Sequence, residues 1–260
     1  MAIETNIEWA DSTWNPFIGC TKISPACDHC YAERWAKMAG RDFSRVSRAA
    51  PATFQAPEKW REPRRIFVCS LSDFFHPDIF HGDREEAIDV MKEAPQHTYM
   101  ILTKRPHLIQ GLLLASSWAN GLPDNVWLGV TVESQAFTWR IREMLNIPAG
   151  KHFVSCEPLL GLLDLKMYAS FSRLLSVKIT RDMKTGEMQC TVPRINWIIA
   201  GGESGRGARP MHPDWPRGLR NQCAAARVPF FFKQWGEWFP VTRDQEHRRL
   251  DGKEYNEVPK

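Results

Sequence analysis

Three cysteines, Cys20, Cys27 and Cys30, fall within one short run, GCTKISPACDHCYAERWA. Three thiolates on one loop can hold a metal centre and leave one coordination position open, and an open position is where a small molecule can react. A four-iron cluster usually takes four cysteine ligands, so a three-cysteine loop leaves one iron free. Zinc would instead take a fourth protein ligand or a water. His29 sits inside the tight C-x-x-C turn, where a side chain usually points away, so a zinc site would draw its fourth ligand from a distance, for example His76 or His81. A third reading makes the cysteines core residues that happen to be close, but Gly19, Pro25 and their polar neighbours make a poor core segment and a good ligand loop.

A second group of residues lies far along the chain. Residues 198–210, IIAGGESGRGARP, read as a strand running into a glycine-rich turn. Gly201, Gly202, Gly205 and Gly207 would let backbone approach a ligand closely, and Glu203 would accept a hydrogen bond from an amine or a ribose hydroxyl. The turn matches neither a Walker A loop nor G-x-G-x-x-G, and a purely structural turn is the rival reading. Arg206 and Arg209 suit a carboxylate or a phosphate. Of the eleven tryptophans, Trp127, Trp197, Trp35 and Trp139 are expected to pack inward, while Trp14, Trp235 and Trp238 are candidates for stacking on a substrate.

The elements that must position these residues are legible as short apolar runs at 66–71, 98–102, 126–132, 152–155, 195–200 and 228–232, each reading as a buried strand. Helices are expected over 83–93, 136–145 and 213–226, and a first strand near 7–9, before the cysteine loop. Strand–helix alternation implies an α/β fold with a parallel sheet of partial (β/α)6-barrel type, carrying an extra C-terminal strand. Nearly every strand runs into polar residues: Asp73 and His76, Lys104 and Arg105, Glu133, Glu157, Glu203, and Lys233 with Gln234. The carboxyl ends of parallel barrel strands share one face, so these groups should converge there. Strand parity places Cys69 on the same side as Asp73, and Cys156 opposite to Glu157.

Residues 40–62 read as irregular surface chain, and 167–194 as a hairpin insertion turning near 184–186. The expected organisation is one barrel-like domain over 1–240, with the cysteine loop at 19–31, followed by a charged extension over 241–260. At 260 residues and 43% hydrophobic the chain can bury a substantial core, and its net charge of +4 is compatible with a nucleic-acid partner without requiring one. The N-terminus lacks a signal-peptide pattern and no stretch approaches a membrane span, so a cytoplasmic protein without a membrane partner is expected. In that compartment clustered cysteines bind metal or react, whereas Cys69, Cys156, Cys190 and Cys223 are expected as isolated thiols.

The segments TWNPFIGCTKISPACDHCYAERWA, SLSDFFHP, LTKRP, GVTVES, SCEPLLG, IIAGGESGRGARPM, PFFFKQWGEW and LDGKEYNEVP together resemble a phage-associated three-cysteine-motif family, over nearly the whole chain. That family is in turn similar to radical S-adenosylmethionine enzymes, which use a partial (β/α)6 barrel with a three-cysteine [4Fe–4S] cluster after the first strand. The resemblance implies that Cys20, Cys27 and Cys30 ligate such a cluster, that S-adenosylmethionine is the cofactor, and that an electron donor such as a flavodoxin or ferredoxin, and a partner subunit, belong to the system. The spacing here is C-x6-C-x-x-C with His29 in the aromatic position, against the common C-x3-C-x-aromatic-C. Gly201, Gly202 and Glu203 look like the Gly-Gly-Glu element that holds the methionine amino group, but follow a late strand, so by position Ser72 and Asp73 are rival candidates.

These readings imply a radical enzyme modifying or repairing a nucleotide or nucleic-acid base, with Lys104 and Arg105 meeting a carboxylate or phosphate. Glu133, Glu157 and Lys233 would line the substrate side, and Cys69 is the candidate hydrogen donor. The alternatives are a zinc-dependent hydrolase or nuclease with Glu157 or Glu133 as general base, and a non-enzymatic module binding nucleic acid or serving phage–host contact.

Overall fold

The computed structural model describes residues 5, 7–169, 178–181, 188–191, 193–238 and 247–260. Seven strands form its main sheet: β1 (Ser12–Trp14), β2 (Arg65–Val68), β3 (Thr98–Thr103), β4 (Val126–Thr131), β5 (Lys151–Cys156), β6 (Trp197–Gly201) and β7 (Phe230–Gln234). Each pairs in parallel with the next in sequence. Because the order never doubles back, right-handed crossovers put every connection on one face and the sheet curls into an open half-barrel. The main helices are α1 (Tyr31–Met38), α2 (His81–Glu93), α3 (Pro106–Leu114), α4 (Trp139–Leu145) and α5 (Asp214–Ala226). This is the expected α/β partial barrel, including the extra C-terminal strand.

Alternation along the strands divides the core in two. Ile66, Val68, Tyr99, Ile101, Leu128, Val130 and Val154 pack outward with helix residues such as Ile88, Met91, Ile109 and Leu219. Their alternates, Phe67, Met100, Trp127, Phe153, Trp197, Ile199 and Phe231, point inward and meet Trp9. Trp197 is the hub of this inner cluster, with ring centroids 6.4, 6.3, 6.1 and 6.0 Å from Trp9, Trp127, Phe153 and Phe231. The aromatic plug fills the half-barrel toward the strands' amino ends. The residues one or two steps further along each strand are small or polar, and the inner face opens there.

The first strand lies at Ser12–Trp14 rather than near 7–9. Residues around Trp9 form a turn instead, and the indole is spent on closing the plug. The segment 40–62 is less irregular than its composition suggests: Ser47–Arg48 pairs antiparallel with Phe17–Ile18, and a helical turn, Pro51–Phe54, buries Phe54 under Trp14. The anticipated hairpin is present as Lys178–Arg181 against Met188–Thr191, while its turn near 184–186 lies outside the described residues. Residues 247–260 run beside the last strand: Phe232 N–H donates to Tyr255 O at 2.9 Å, and the Trp197 indole donates to Glu257 O at 2.7 Å. Trp35 and Trp139, expected to pack inward, are 37% and 41% exposed, because their helices turn Ala32, Ala36, Ile141 and Met144 to the core instead. Among the described residues no helix is long and apolar enough to cross a membrane.

Trp197→Ala should remove the hub of the plug and destabilise the fold by about 3–5 kcal/mol. Chemical denaturation followed by circular dichroism measures it, and a loss below about 1 kcal/mol would show that the plug is not part of the cooperative core.

Candidate active site at the mouth of the half-barrel

A cavity of about 590 Å³ opens above the aromatic plug, at the carboxyl ends of the strands. Phe67, Trp9 and Leu102 form its floor. Cys20, Cys27 and Cys30 all line it, from the loop that leaves β1, and all three are half-buried free thiols. Cys27 belongs to a short 3-10 turn, Pro25–Cys27, and Cys30 is the residue from which α1 starts, so local turns space the thiols. Burial pushes the Cys20 thiol up to about 11, with Asp73 adding to the shift and Arg105 and Lys104 opposing it. Such a thiol stays protonated at neutral pH unless a metal displaces the proton. Among the described residues no three His, Cys, Asp or Glu side chains are gathered as a site for a single metal ion. Three sulfurs on one loop face one cavity.

The loop is held by a buried ion pair. Asp73, after β2, accepts from Phe75 N–H (3.0 Å) and Thr103 Oγ1 (2.7 Å) on one oxygen, and from Lys104 N–H (3.1 Å) and Arg105 Nη1 (3.0 Å) on the other. Arg105 also donates to Thr21 O at 2.8 Å, Thr21 Oγ1 at 2.9 Å and Cys20 Sγ at 3.5 Å. Both residues line the cavity, yet the Asp73 carboxylate is saturated and Arg105 is committed to the cysteine loop. They position Cys20 rather than present free groups to a ligand. Ser72 likewise donates to Gly19 O at 2.6 Å. Lys104 lines the cavity with no ion-pair partner among the described residues.

Across the mouth, the glycine-rich turn meets the same loop. Glu203 is paired with Arg209 (2.5 Å), whose remaining N–H groups reach Pro25 O (2.8 Å) and Asp28 Oδ2 (3.2 Å). Burial alone would raise the Glu203 carboxyl, but the Arg209 guanidinium and backbone N–H more than reverse this and hold it below the usual range. Gly202 lines the cavity and Gly201 does not. A Cβ on Gly202 would come within 1.9 Å of Trp235 O, so close backbone packing already accounts for this glycine. Gly205, with φ +87°, lies under the Arg34 guanidinium of α1.

The far wall carries Glu157 and Lys233, paired at 2.6 Å at the ends of β5 and β7. Burial lowers the Lys233 ammonium, and the adjacent Glu157 carboxylate outweighs this, leaving it above its ordinary range. Cys69 lines the cavity with a fully formed thiol: burial pushes it far up, and its backbone has φ +60°, which a non-glycine residue adopts rarely. Glu133, expected beside Glu157, is not a lining residue. It is fully buried and paired with Arg140 at 2.8 Å, because the chain turns after β4 toward α4. His76 bonds Thr21 Oγ1 and His81 sits near Ala115 O, and neither lines the cavity. Trp14 and Trp235 are buried in the core and are unavailable for stacking. Trp238 is 62% exposed and does not line the cavity.

Several lining groups escaped the sequence reading. Thr131 and Ser155 share strand parity with Trp127 and Phe153, so alternation alone would have found them. Thr131 Oγ1 is buried without a hydrogen-bond partner. The Tyr31 phenol donates to Ser70 O at 2.5 Å. Asn15 braces that loop by accepting from Leu71 N–H at 2.8 Å.

A parallel α/β half-barrel with a cavity at its carboxyl mouth, lined by a three-cysteine loop and by charged residues from the strand ends, is the class these observations define. Residues 4–259 match the family described as "Protein of unknown function (DUF5131)", and the chain belongs to it. No curated protein matches the chain. Among solved structures it is similar to a cysteine mutant of spore photoproduct lyase, at 14% identity and TM-score 0.47 over 92% of this chain and 65% of that one. A double mutant of the same lyase with bound AdoMet and dinucleoside spore photoproduct gives 12% and 0.46, over 84% and 62%. The lyase complexed with the dinucleoside gives 12% and 0.44, over 82% and 60%. The chain thus spans less than two thirds of the length of each of these structures.

Asp73→Asn should leave the buried Arg105 charge unmatched and cost about 3–5 kcal/mol of stability, read by denaturant titration. The Glu203–Arg209 pair sets a pH dependence. The folded carboxyl titrates below the unfolded one, so its stabilisation is complete above the usual carboxylate range and is lost as pH falls from there through the lowered folded value. Melting temperatures of the wild type and Glu203→Gln should therefore differ at neutral pH and converge on acidification.

Proposed function

We propose that this protein is a radical S-adenosylmethionine-type iron–sulfur enzyme that modifies or repairs a base in a nucleotide or nucleic acid. The observation that carries the reading is the placement of Cys20, Cys27 and Cys30 on one wall of a single mouth cavity that also holds a buried, protonated thiol, Cys69. Cys20, Cys27 and Cys30 would hold the [4Fe–4S] cluster, which together with S-adenosylmethionine supplies one-electron chemistry ending in hydrogen abstraction. The chain-wide resemblance to a three-cysteine-motif family that is similar to radical enzymes supports the same assignment, while the C-x6-C-x-x-C spacing departs from their common pattern.

The chain's own residues divide the remaining work. Arg105 and Asp73 fix the cysteine loop. Lys104 offers an uncommitted cation to a cofactor carboxylate or phosphate, and Thr131 an unpaired hydroxyl. Glu157 and Lys233 present adjacent acceptor and donor groups on the opposite wall, where a base edge is read. Cys69 keeps its S–H in an apolar setting that disfavours the thiolate, as a hydrogen-atom donor requires. The floor of Trp9, Phe67 and Leu102 keeps the site dry from below.

Anaerobic reconstitution should load about four irons and four sulfides per chain, with a spectrum perturbed by S-adenosylmethionine and deoxyadenosine formed on reduction. Cys27→Ala should lose the cluster. Cys69→Ser should keep cluster and deoxyadenosine formation but lose or misdirect the final product. One zinc and no sulfide, in protein that refuses iron, would sink the proposal.

A further inference from the structure

A second depression of about 230 Å³ is lined by the loop that follows α1 together with Ile18, Ala36 and Ser47. Phe43, half-buried, lines both this depression and the main cavity. Arg41 and Arg45 line the second depression, both exposed, and neither has an ion-pair partner among the described residues. This sets them apart from many arginines of the chain, such as Arg48, Arg65, Arg105, Arg140, Arg209 and Arg217, which are each matched by carboxylates. Asp42 also lines the depression and interacts electrostatically with Arg45, leaving the depression one net positive charge; its Oδ1 accepts from Ser44 N–H (3.0 Å) and Ser44 Oγ (2.7 Å), which hold the carboxylate on its own loop.

The loop is not a loose strap. Gly40, at φ +64°, ends α1, and Arg41 N–H turns back to Ala36 O at 2.9 Å. Cys20 N–H donates to Phe43 O at 2.8 Å, and Ser47 and Arg48 pair with Ile18 and Phe17. The two arginines therefore ride on the same rigid piece that carries Cys20.

Charge inside the main cavity does not oppose an anion. Each carboxylate lining it has its own cation: Glu33 with Lys22, Asp73 with Arg105, Glu157 with Lys233, Glu203 with Arg209. Arg34 and Lys104 remain as surplus positive charge lining the main cavity, and Arg41 and Arg45 line the depression that shares Phe43 with it. Cations without ion-pair partners beside an aromatic ring suit a single strand, with phosphates on the cations and a base against the ring.

We infer that Arg41 and Arg45 form a phosphodiester subsite for a single-stranded nucleic acid, which holds the strand across Phe43 while one nucleotide enters the main cavity. The inference rests on the proposed function for what happens in that cavity, but the subsite itself needs no cluster. It makes the substrate a strand rather than a free nucleotide.

Fluorescence anisotropy with labelled eight-residue oligothymidylate and oligouridylate, titrated with salt, tests this on the full reconstituted chain. Arg41→Gln/Arg45→Gln should flatten the slope of log K against log salt by about 1.4, from two lost single-strand phosphate contacts. Arg41→Lys/Arg45→Lys should retain most of the slope, and Arg142→Gln, on α4, should leave it unchanged. The arms with thymidylate and uridylate separate DNA from RNA as the source of the strand. An unchanged slope in the double Gln variant overturns the subsite. So does inorganic phosphate competing as well as the oligonucleotide, which would mark a site for free phosphate. Iron and sulfide content is measured on the same samples. A flattened slope in protein that takes up no iron would sink the radical-enzyme reading and leave the strand subsite standing, and the reverse pattern would do the opposite.

Discussion

The buried pair of Asp73 and Arg105 is the constraint on which the site depends. Two charges taken out of water are tolerated only when matched and hydrogen-bonded, and here the carboxylate receives four donors while the guanidinium spans three elements. Asp73 comes from the loop after β2, Thr103 and Arg105 from the end of β3, and Thr21 and Cys20 from the loop after β1. Satisfying one arginine thereby fixes the relative heights of three strand ends. The cysteine loop, which is glycine- and proline-bearing and contributes few apolar residues of its own, takes its position from this network.

The same economy governs the barrel interior. Inward positions are aromatic near the strands' amino ends and small or polar near their carboxyl ends, so one alternating pattern builds both plug and cavity. Gly129 illustrates the tightness of the plug, since a Cβ there would lie 2.3 Å from the Phe153 ring. With the interior filled below, the cavity lies among the cysteine loop, the loop around Phe43 and the glycine-rich turn.

The cavity's rim is closed by contacts between the first crossover and the sixth strand's turn. Arg209 links Glu203 to Pro25 and Asp28, and Arg34 covers Gly205. In an open half-barrel the two edges of the sheet are not hydrogen-bonded to each other, so side-chain and loop contacts of this kind set the width of the mouth. They also neutralise the acidic groups that the strand ends deliver, leaving the mouth with a surplus of cations.

The alternation of strands and helices, the parallel order and the gathering of strand-end residues at one mouth were legible in the chain, because burial on both sheet faces demands near-continuous apolar runs and those are local features. The convergence of Cys20, Cys27, Cys30, Cys69, Lys104, Glu157 and Lys233 followed from parity and from the geometry of parallel strands. Other decisions belonged to the tertiary structure. Whether Glu133 reached the cavity depended on Arg140, which drew it into the core from seven residues away on another element. Whether Asp73 and Glu203 were free ligands or structural anchors depended on Arg105 and Arg209, and whether Trp14 stacked on a substrate depended on Phe54 packing beneath it. A polar or aromatic side chain carries the same letter in either role. Its function is assigned by whichever partner satisfies its hydrogen bonds and buried surface, and only the folded chain brings those partners within reach.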